Sequence, residues 1–385
     1  MDKSKSQSRA WRKIKLRSIL DVKTGGTPSR KNSEYYINGI IPWIKTQELL
    51  DKSIYGSEEK ITNEAIRKSN AKVFPIDTVL IAMYGATIGK LGILKNKAAT
   101  NQACAALICK KDLCDYKFIF YSLLIKRRKL ISLAYGAAQQ NLNLERIKNF
   151  EINLPNVKEQ QRITSILSTY DDLIEVNNKK IKNLEEMAQM IYNEWFVKFK
   201  FPGYEKTKFK NGIPEEWKQF KLGEMAEIKG GKQLERKEIR KEEKYPVFGG
   251  NGIQGYCDKT THEKFVIIFG RVGVNCGSIH WVYNGAWLNN NSSSVNLEKY
   301  QEYILQFLIN YNFSQLRGGA AQPFISNGVL ANINILIPID SLINDYCKII
   351  QSMRIEQELL NEINKNLRKT RDLLLPRLMS RGIKV

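Results

Sequence analysis

Gly250-Asn251-Gly252-Ile253-Gln254-Gly255 has the spacing of a dinucleotide-binding glycine motif and follows an apolar stretch, Tyr245 to Phe248. Such a motif works only where its last glycine opens a helix whose N-terminus can hold a pyrophosphate. Here Tyr256-Cys257-Asp258-Lys259-Thr260-Thr261 comes next, which opens no helix, so the pattern reads as a glycine-rich turn. Gly85-Ala86-Thr87-Ile88-Gly89-Lys90-Leu91 is one residue short between its glycines for a P-loop and lacks the Ser/Thr that would hold Mg²⁺.

Cys257, His262, Cys276 and His280 supply the donor types of a zinc site. Their Cys-x4-His and Cys-x3-His spacings differ from the tight Cys-x2-Cys knuckle of structural zinc, and no metal is expected. Cys104, Cys109 and Cys114 read as small apolar side chains in or near a strand. Two histidines in the whole chain leave little room for a Ser-His-Asp centre. An acidic nuclease constellation, an Asn/Asp-Pro-Pro-aromatic run for amino-methylation and a glycine-rich methyl-donor motif are all missing from the sequence. The expectation is a chain without a catalytic centre.

The elements that would position other chemistry come from an internal repeat. Gly136-Ala137-Ala138-Gln139 recurs as Gly319-Ala320-Ala321-Gln322, and the same register carries Ile152-Asn153-Leu154-Pro155 onto Ile335-Leu336-Ile337-Pro338. Upstream, Trp11, Leu16 and Asp21-Val22-Lys23 meet Trp217, Leu222 and Glu227-Ile228-Lys229, which leaves the second copy 23 residues shorter. Gln139 and Gln322 occupy equivalent places and suit a structural role at the turn after the glycine.

After Pro155, residues step by four and three through Ile163, Leu167, Tyr170, Ile174, Asn177, Ile181, Leu184, Ala188, Ile191 and Trp195, apolar but for Asn177, the seam of a long helix. After Pro338 the register returns through Ile350, Met353, Leu360, Leu367 and Leu374, with Gln357, Asn364 and Arg371 intervening. Neither helix buries its stripe alone, so the two are expected to pack on each other. The front of each copy carries short apolar, β-branched runs such as Thr78 to Met83 and Phe265 to Phe269, bounded by turn residues, which suits strands of mixed α/β (α+β) domains. The expected order is a globular domain over 1–157, a long helix over 158–200, a linker over 201–216, a second domain over 217–338, a second long helix over 339–380 and a tail over 381–385.

The 385 residues include 61 Lys/Arg and 39 Asp/Glu, a formal net charge of +22, and 43% are hydrophobic, enough for each half to bury a core. No apolar run approaches the roughly 18 residues of a membrane span and Met1 to Ala10 lacks a secretory apolar stretch, so a cytoplasmic location is expected, where six cysteines stay reduced. The charge is uneven. Residues 1–157 carry +15 and residues 199–339 carry +5, whereas the two helical segments cancel. Two positive domains joined by neutral helices suit a reader of two DNA segments, because cations near phosphates release condensed counterions.

This order resembles the specificity subunit of type I restriction-modification systems. The resemblance rests on Ile41-Pro42-Trp43-Ile44-Lys45-Thr46, on Gly85 to Lys90, on Asn101-Gln102-Ala103 and on Leu154-Pro155 followed by Glu159-Gln160-Gln161-Arg162-Ile163. In the second copy it rests on Tyr245 to Gly252, Gly270-Arg271-Val272-Gly273, Leu336-Ile337-Pro338 and Leu374-Leu375-Pro376-Arg377-Leu378. Asp340 to Asp345 departs from it by lacking the Glu-Gln-Gln-Arg helix entrance.

The resemblance implies two target recognition domains, each reading half of a split, asymmetric DNA site, with the helices as an antiparallel coiled coil of pseudo-twofold symmetry that sets the unread spacer. It implies a non-catalytic chain. Two modification subunits, which bind S-adenosylmethionine and methylate adenine at N6, would dock on it, and where the system also restricts, two motor-nuclease subunits using ATP and Mg would join. A self-contained DNA-modifying enzyme and a coiled-coil adaptor for nucleic acid are the rival readings.

Base readout needs paired donors and acceptors. Turn residues that offer them are Lys45, Gln47, Lys90 and Gln102 in the first domain and Asn251, Gln254, Arg271, Asn290 and Asn291 in the second. Lys31, Arg67, Lys68, Lys232 and Arg236 are the candidates for phosphates.

Overall fold

The computed structural model describes residues 11–110, 112–134, 141–319, 322–383 and 385. The chain divides into two compact units, Met1–Val176 with Ile363–Val385, and Asn177–Glu362. This division cuts both long helices, Val157–Tyr192 and Asp340–Met379, so each unit owns one globular domain and one end of each helix. The physical reason is burial, since each domain packs on the helix ends beside it.

In the first unit a five-stranded sheet runs in the order Leu20–Thr24, Cys104–Cys109, Val79–Ala82, Leu91–Leu94, Lys52–Ile54. All four residues of Val79–Ala82 are buried, with no alternation, because the strand is covered on both faces. A second sheet places Ile41–Ile44 parallel to Ala98–Thr100, flanked by Lys60–Ile61 and Val73–Phe74. A third pairs Arg12–Lys15 with Glu151–Leu154.

The second unit repeats this plan. Glu227–Gly230, Ser292–Asn296, Val266–Gly270 and Ile279–Val282 form one sheet, Tyr245–Gly249 runs parallel to Trp287–Leu288, and Lys218–Lys221 pairs with Asn334–Ile337. The shortening of the second copy falls chiefly after the strand Tyr245–Gly249. There a single hairpin strand, Gly252–Cys257, stands where the first domain has Lys52–Ile54, Lys60–Ile61, the helix Asn63–Lys68 and Val73–Phe74.

Within each unit the helices run antiparallel. In the first, Ile163 and Leu167 share a core with Leu375 and Leu378, and Asp171 meets Arg371. In the second, Lys180 meets Glu356 at 2.5 Å and Tyr192 packs on Tyr346. Among the seam residues, Ile163, Leu167, Ile174, Leu184, Ile350 and Leu360 are buried, while Ile181, Ile191, Met353, Leu367 and Leu374 are half-buried. Gln357 and Asn364 are buried as well, so polar side chains occupy part of the second helix's inner face.

The two helix entrances differ in chemistry. Gln160 is fully buried, donates to Pro155 O at 2.9 Å and accepts from Asp115 N at 2.8 Å, while Glu159 accepts the Trp11 indole N–H at 2.9 Å. At the second entrance Leu342 and Ile343 are buried in the core instead, an apolar substitute for the polar tether. Polar links also fasten each domain to its helices. Asp171 accepts from both Tyr121 and Arg371 in the first unit. In the second, Glu302 accepts from Tyr283 and lies 3.4 Å from Arg354, which bonds Gln357 at 2.9 Å and stacks 4.7 Å over Trp281.

No helix among the described residues is long and apolar enough to cross a membrane.

Candidate nucleic-acid interface

In the first domain, connections from separate strands are tied together by backbone hydrogen bonds. Gly26 N donates to Thr100 O at 2.9 Å, Asn101 N to Ile44 O at 3.0 Å, Met83 N to Ala103 O at 2.8 Å and Leu142 N to Met83 O at 2.7 Å. The close approach explains the glycine pair at its start, because a Cβ on Gly25 would lie 2.0 Å from Thr100 O and one on Gly26 2.5 Å from Asn70. Gly85 to Lys90 forms a compact double turn with Gly85 at φ +79° and Gly89 at φ +76°.

The second domain makes the same bonds. Lys232 N donates to Leu288 O at 2.8 Å, Asn289 N to Phe248 O at 2.8 Å, Arg271 N to Asn291 O at 3.1 Å and Ile325 N to Arg271 O at 2.9 Å. Its double turn, Gly270 to Ser278, repeats the contacts of Ala82 to Lys90. Both domains thus carry one loop scaffold, and the side chains at its tips differ.

The scaffold gathers the second-domain candidates. Asn251 in the hairpin turn, Gln254 on the strand Gly252–Cys257, and Asn290 and Asn291 in the turn before Ser292–Asn296 are exposed, and Arg271 is half-buried just after Val266–Gly270. Gln254 accepts from Asn289 Nδ2 at 3.1 Å and folds over Gly249. Arg271 lies against Gly230, where a Cβ would stand 3.3 Å from its Nη1, and its buried Nε has no hydrogen-bond partner. Lys232 and Arg236 are exposed on the segment after Gly230.

In the first domain Gln47 and Gln102 are exposed, and Gln102 accepts from Thr27 Oγ1. Lys45 is half-buried and pairs with Glu59 at 3.2 Å. Lys90 belongs to the same loops, but its ammonium is held 2.9 Å from Asp51, which Arg127 also engages. Lys31, Arg67 and Lys68 are exposed, and Lys68 pairs with Glu64 at 2.6 Å. Gly136 to Gln139 lies outside the described residues, as do Ala320 and Ala321. Gly319, at φ +88°, sits where a Cβ would stand 2.6 Å from Gln322 O.

Sequence reasoning missed two groups and read a third, His280, only as a metal donor. Arg30 is clamped on Glu59, with its Nη2 3.0 Å from Oε2, and its guanidinium lies 4.3 Å over Tyr36 and 5.1 Å over Trp43. The Arg30 hydrogen bond, helped by Lys45, holds the Glu59 carboxyl below the usual carboxylate range. Asn101 and Asn289, at matching places on the scaffold, each bury a side-chain oxygen with no partner. His280 also buries an unpartnered Nε2, beneath Gly252 and 5.6 Å from the Phe248 ring centroid. The repeat of Asn101 and Asn289 was legible in the sequence; the Arg30 clamp joins segments too far apart for spacing to reveal it.

The residues that suggested zinc do not assemble. Cys257 Sγ donates to Lys259 O at 3.0 Å and Cys276 Sγ to Arg271 O at 3.1 Å, and no three metal-ligating side chains gather among the described residues. The glycine run Gly250 to Gly255 is a hairpin turn and strand with no helix after it. Two clefts of about 340 and 380 Å³ in the second unit flank Trp281 and are lined by helix residues such as Glu185 and Arg354, so they belong to the fastening of domain to helices.

Residues 8–186 and 214–365 match the family model described as the type I restriction modification DNA specificity domain. The chain is 27% identical to the specificity subunit of the type I restriction enzyme MjaIX of Methanocaldococcus jannaschii, covering 97% of this chain and 94% of that one. It is 27% identical to the EcoprrI specificity subunit of Escherichia coli, with 84% and 83% covered. In fold it is similar to the crystal structure of a type I restriction-modification S subunit from M. genitalium, at a TM-score of 0.62, 19% identity and 97% and 98% coverage.

Proposed function

Because the chain belongs to the type I restriction-modification DNA specificity family, whose work is sequence recognition, we propose that its two domains read the two halves of a split duplex site. The observation that carries this reading is the loop scaffold built twice with the same backbone bonds and different tips. A rigid frame with variable tips is how one fold comes to read two different sequences. In the first domain Lys45, Gln47, Lys90 and Gln102 are the base-reading residues, and Lys31, Arg67 and Lys68 hold phosphates. In the second, Asn251, Gln254, Arg271, Asn290 and Asn291 read bases while Lys232 and Arg236 hold the backbone.

The two long helices set the unread spacer and carry the partners. Two modification subunits bring S-adenosylmethionine and methylate adenine at N6, and in a restricting complex two motor-nuclease subunits bring ATP and Mg. The chain supplies no reacting group of its own and works in the cytoplasm, where the DNA is.

Selection from random duplexes, with the modification subunits present, tests this reading. Recovery of an asymmetric site in two parts supports it, and recovery of one continuous motif or of none defeats it. Inserting a heptad into both helices should then lengthen the spacer with both half-sites unchanged; an unchanged spacer with lost half-site preference would sink the ruler.

A further inference from the structure

The difference in charge between the domains has a definite place. Lys13 and Lys15, on the outer strand Arg12–Lys15, converge with Lys126 and Lys129 on Glu151. Lys13 Nζ is 2.7 Å from the Glu151 carboxylate, and Lys126 Nζ donates to Glu151 O at 3.3 Å. Burial lowers the Lys126 pKa, and the nearby charges of Lys129 and Lys13 push it the same way, so these ammonium groups crowd one another. Beside them Arg17 and Lys148 share Glu145, with Lys148 at 2.8 Å. Six cations therefore meet two carboxylates, and most of the positive charge is left facing solvent.

The elements that carry these cations are tied to the loop scaffold. Arg127, on the same short helix as Lys129, donates from Nε to Gly89 O at 2.9 Å. The helix Leu144–Asn149, which carries Lys148, starts two residues after Leu142, itself bonded to Met83 O. The second domain lacks the feature. On the equivalent strand Gln219 replaces Lys13, Asn334 faces Lys221 where Glu151 faces Lys15, and Tyr311-Asn312-Phe313-Ser314 follows the helix Gln301–Asn310 where Lys126-Arg127-Arg128-Lys129 follows Tyr116–Ile125.

We propose that this face of the first domain is a second DNA contact, a phosphate track that holds the duplex beyond the bases read by the loops and reads no bases itself. The inference rests on the DNA-reading role above. It assigns the lopsided charge to backbone holding by one domain, which anchors the duplex while both domains read it. Phosphate is the occupant because Lys13, Lys15, Arg17 and Lys129 are exposed and the cations outnumber the two carboxylates they share, which leaves positive charge open to a backbone of regularly spaced phosphates.

The test is the salt dependence of binding by the full chain to a labelled duplex of about 40 base pairs, on the selected target and on an unrelated sequence. The triple variant Lys13→Gln/Lys15→Gln/Lys129→Gln changes exposed side chains only. Its plot of log binding constant against log salt should be shallower by about 2–3 on both duplexes, at about 0.9 per phosphate contact. Its half-site preference should persist, and Lys→Arg at the same three positions should keep the full slope. A wild-type slope in the glutamine variant overturns the track, and loss of modification-subunit binding with that slope intact would reassign the face to a protein. Absence of duplex binding by the unaltered chain would instead overturn the reading role, and the track with it.

Discussion

Trp43 donates its indole N–H to the carbonyl oxygen of Gly26 at 3.0 Å. In the second domain the equivalent carbonyl, that of Lys232, accepts an indole N–H at 3.0 Å from Trp287. The two tryptophans are not equivalent. Trp43 lies on the first strand of its parallel pair, opposite Ala99, whereas Trp287 lies on the second strand, opposite Val247. Two domains of one ancestry in plan thus fill one space and satisfy one carbonyl from opposite strands, which marks that carbonyl as a point the loop scaffold needs held.

Replacing Trp43 by Phe keeps a ring in the core but strands the Gly26 carbonyl. The expected cost is about 1–3 kcal/mol in denaturant unfolding, together with weaker discrimination at the first half-site alone. Equal weakening at both half-sites would show that the bond does not act through its own domain's loops.

Arg271 has a buried Nε without a partner and a guanidinium beside Gly230, among the exposed amides of the second loop cluster. Arg271→Ala should relax one position of the second half-site by about 1–3 kcal/mol, as a lost bidentate contact to guanine does. Competition binding with singly substituted duplexes reads this directly. Uniform weakening on every duplex would make Arg271 a phosphate contact.

Arg354 and Glu302 are 3% and 6% exposed, and together they tie the second domain to its helices. Arg354→Ala should cost about 3–5 kcal/mol, because it leaves a buried carboxylate without its cation. Adding Glu302→Gln should recover part of that loss in the same unfolding measurement. A single variant with wild-type stability would mean that water already serves both groups.

Burial lowers the pKa of His280 below the ordinary histidine range. A depressed folded value means that the stability is complete above the unfolded pKa of about 6.5 and is lost as pH falls through the folded value. The second unit should therefore melt progressively lower below about pH 6.5, and His280→Gln should flatten that dependence. An unchanged pH slope in the variant would place the titration elsewhere, with His262, whose pKa burial also lowers, the next residue to replace.

Much of this architecture is written along the chain. The duplication, the long helices after Pro155 and Pro338 and the apolar strands at Val79–Ala82 and Val266–Gly270 depend on spacing and residue type, which are local properties. So does the dismissal of the glycine runs as nucleotide sites, because the residues next in the chain, Tyr256 to Thr261 after the first run and Leu91 after the second, lack the helix start or the hydroxyl that a phosphate site needs. The candidate readers of the second domain, taken one turn at a time, are carried by a shared scaffold.

Contacts between distant segments required the folded chain. Nothing in the spacing of Lys90 and Asp51 announces that the ammonium is already engaged at 2.9 Å, and nothing near Arg30 announces Glu59. The total of +22 separates domains from helices, but it could not show that Lys13, Lys15, Lys126 and Lys129 share one face. Periodicity and turn chemistry act between near neighbours in the chain, whereas ion pairs, orphaned carbonyls and charge patches depend on which strands come to lie side by side.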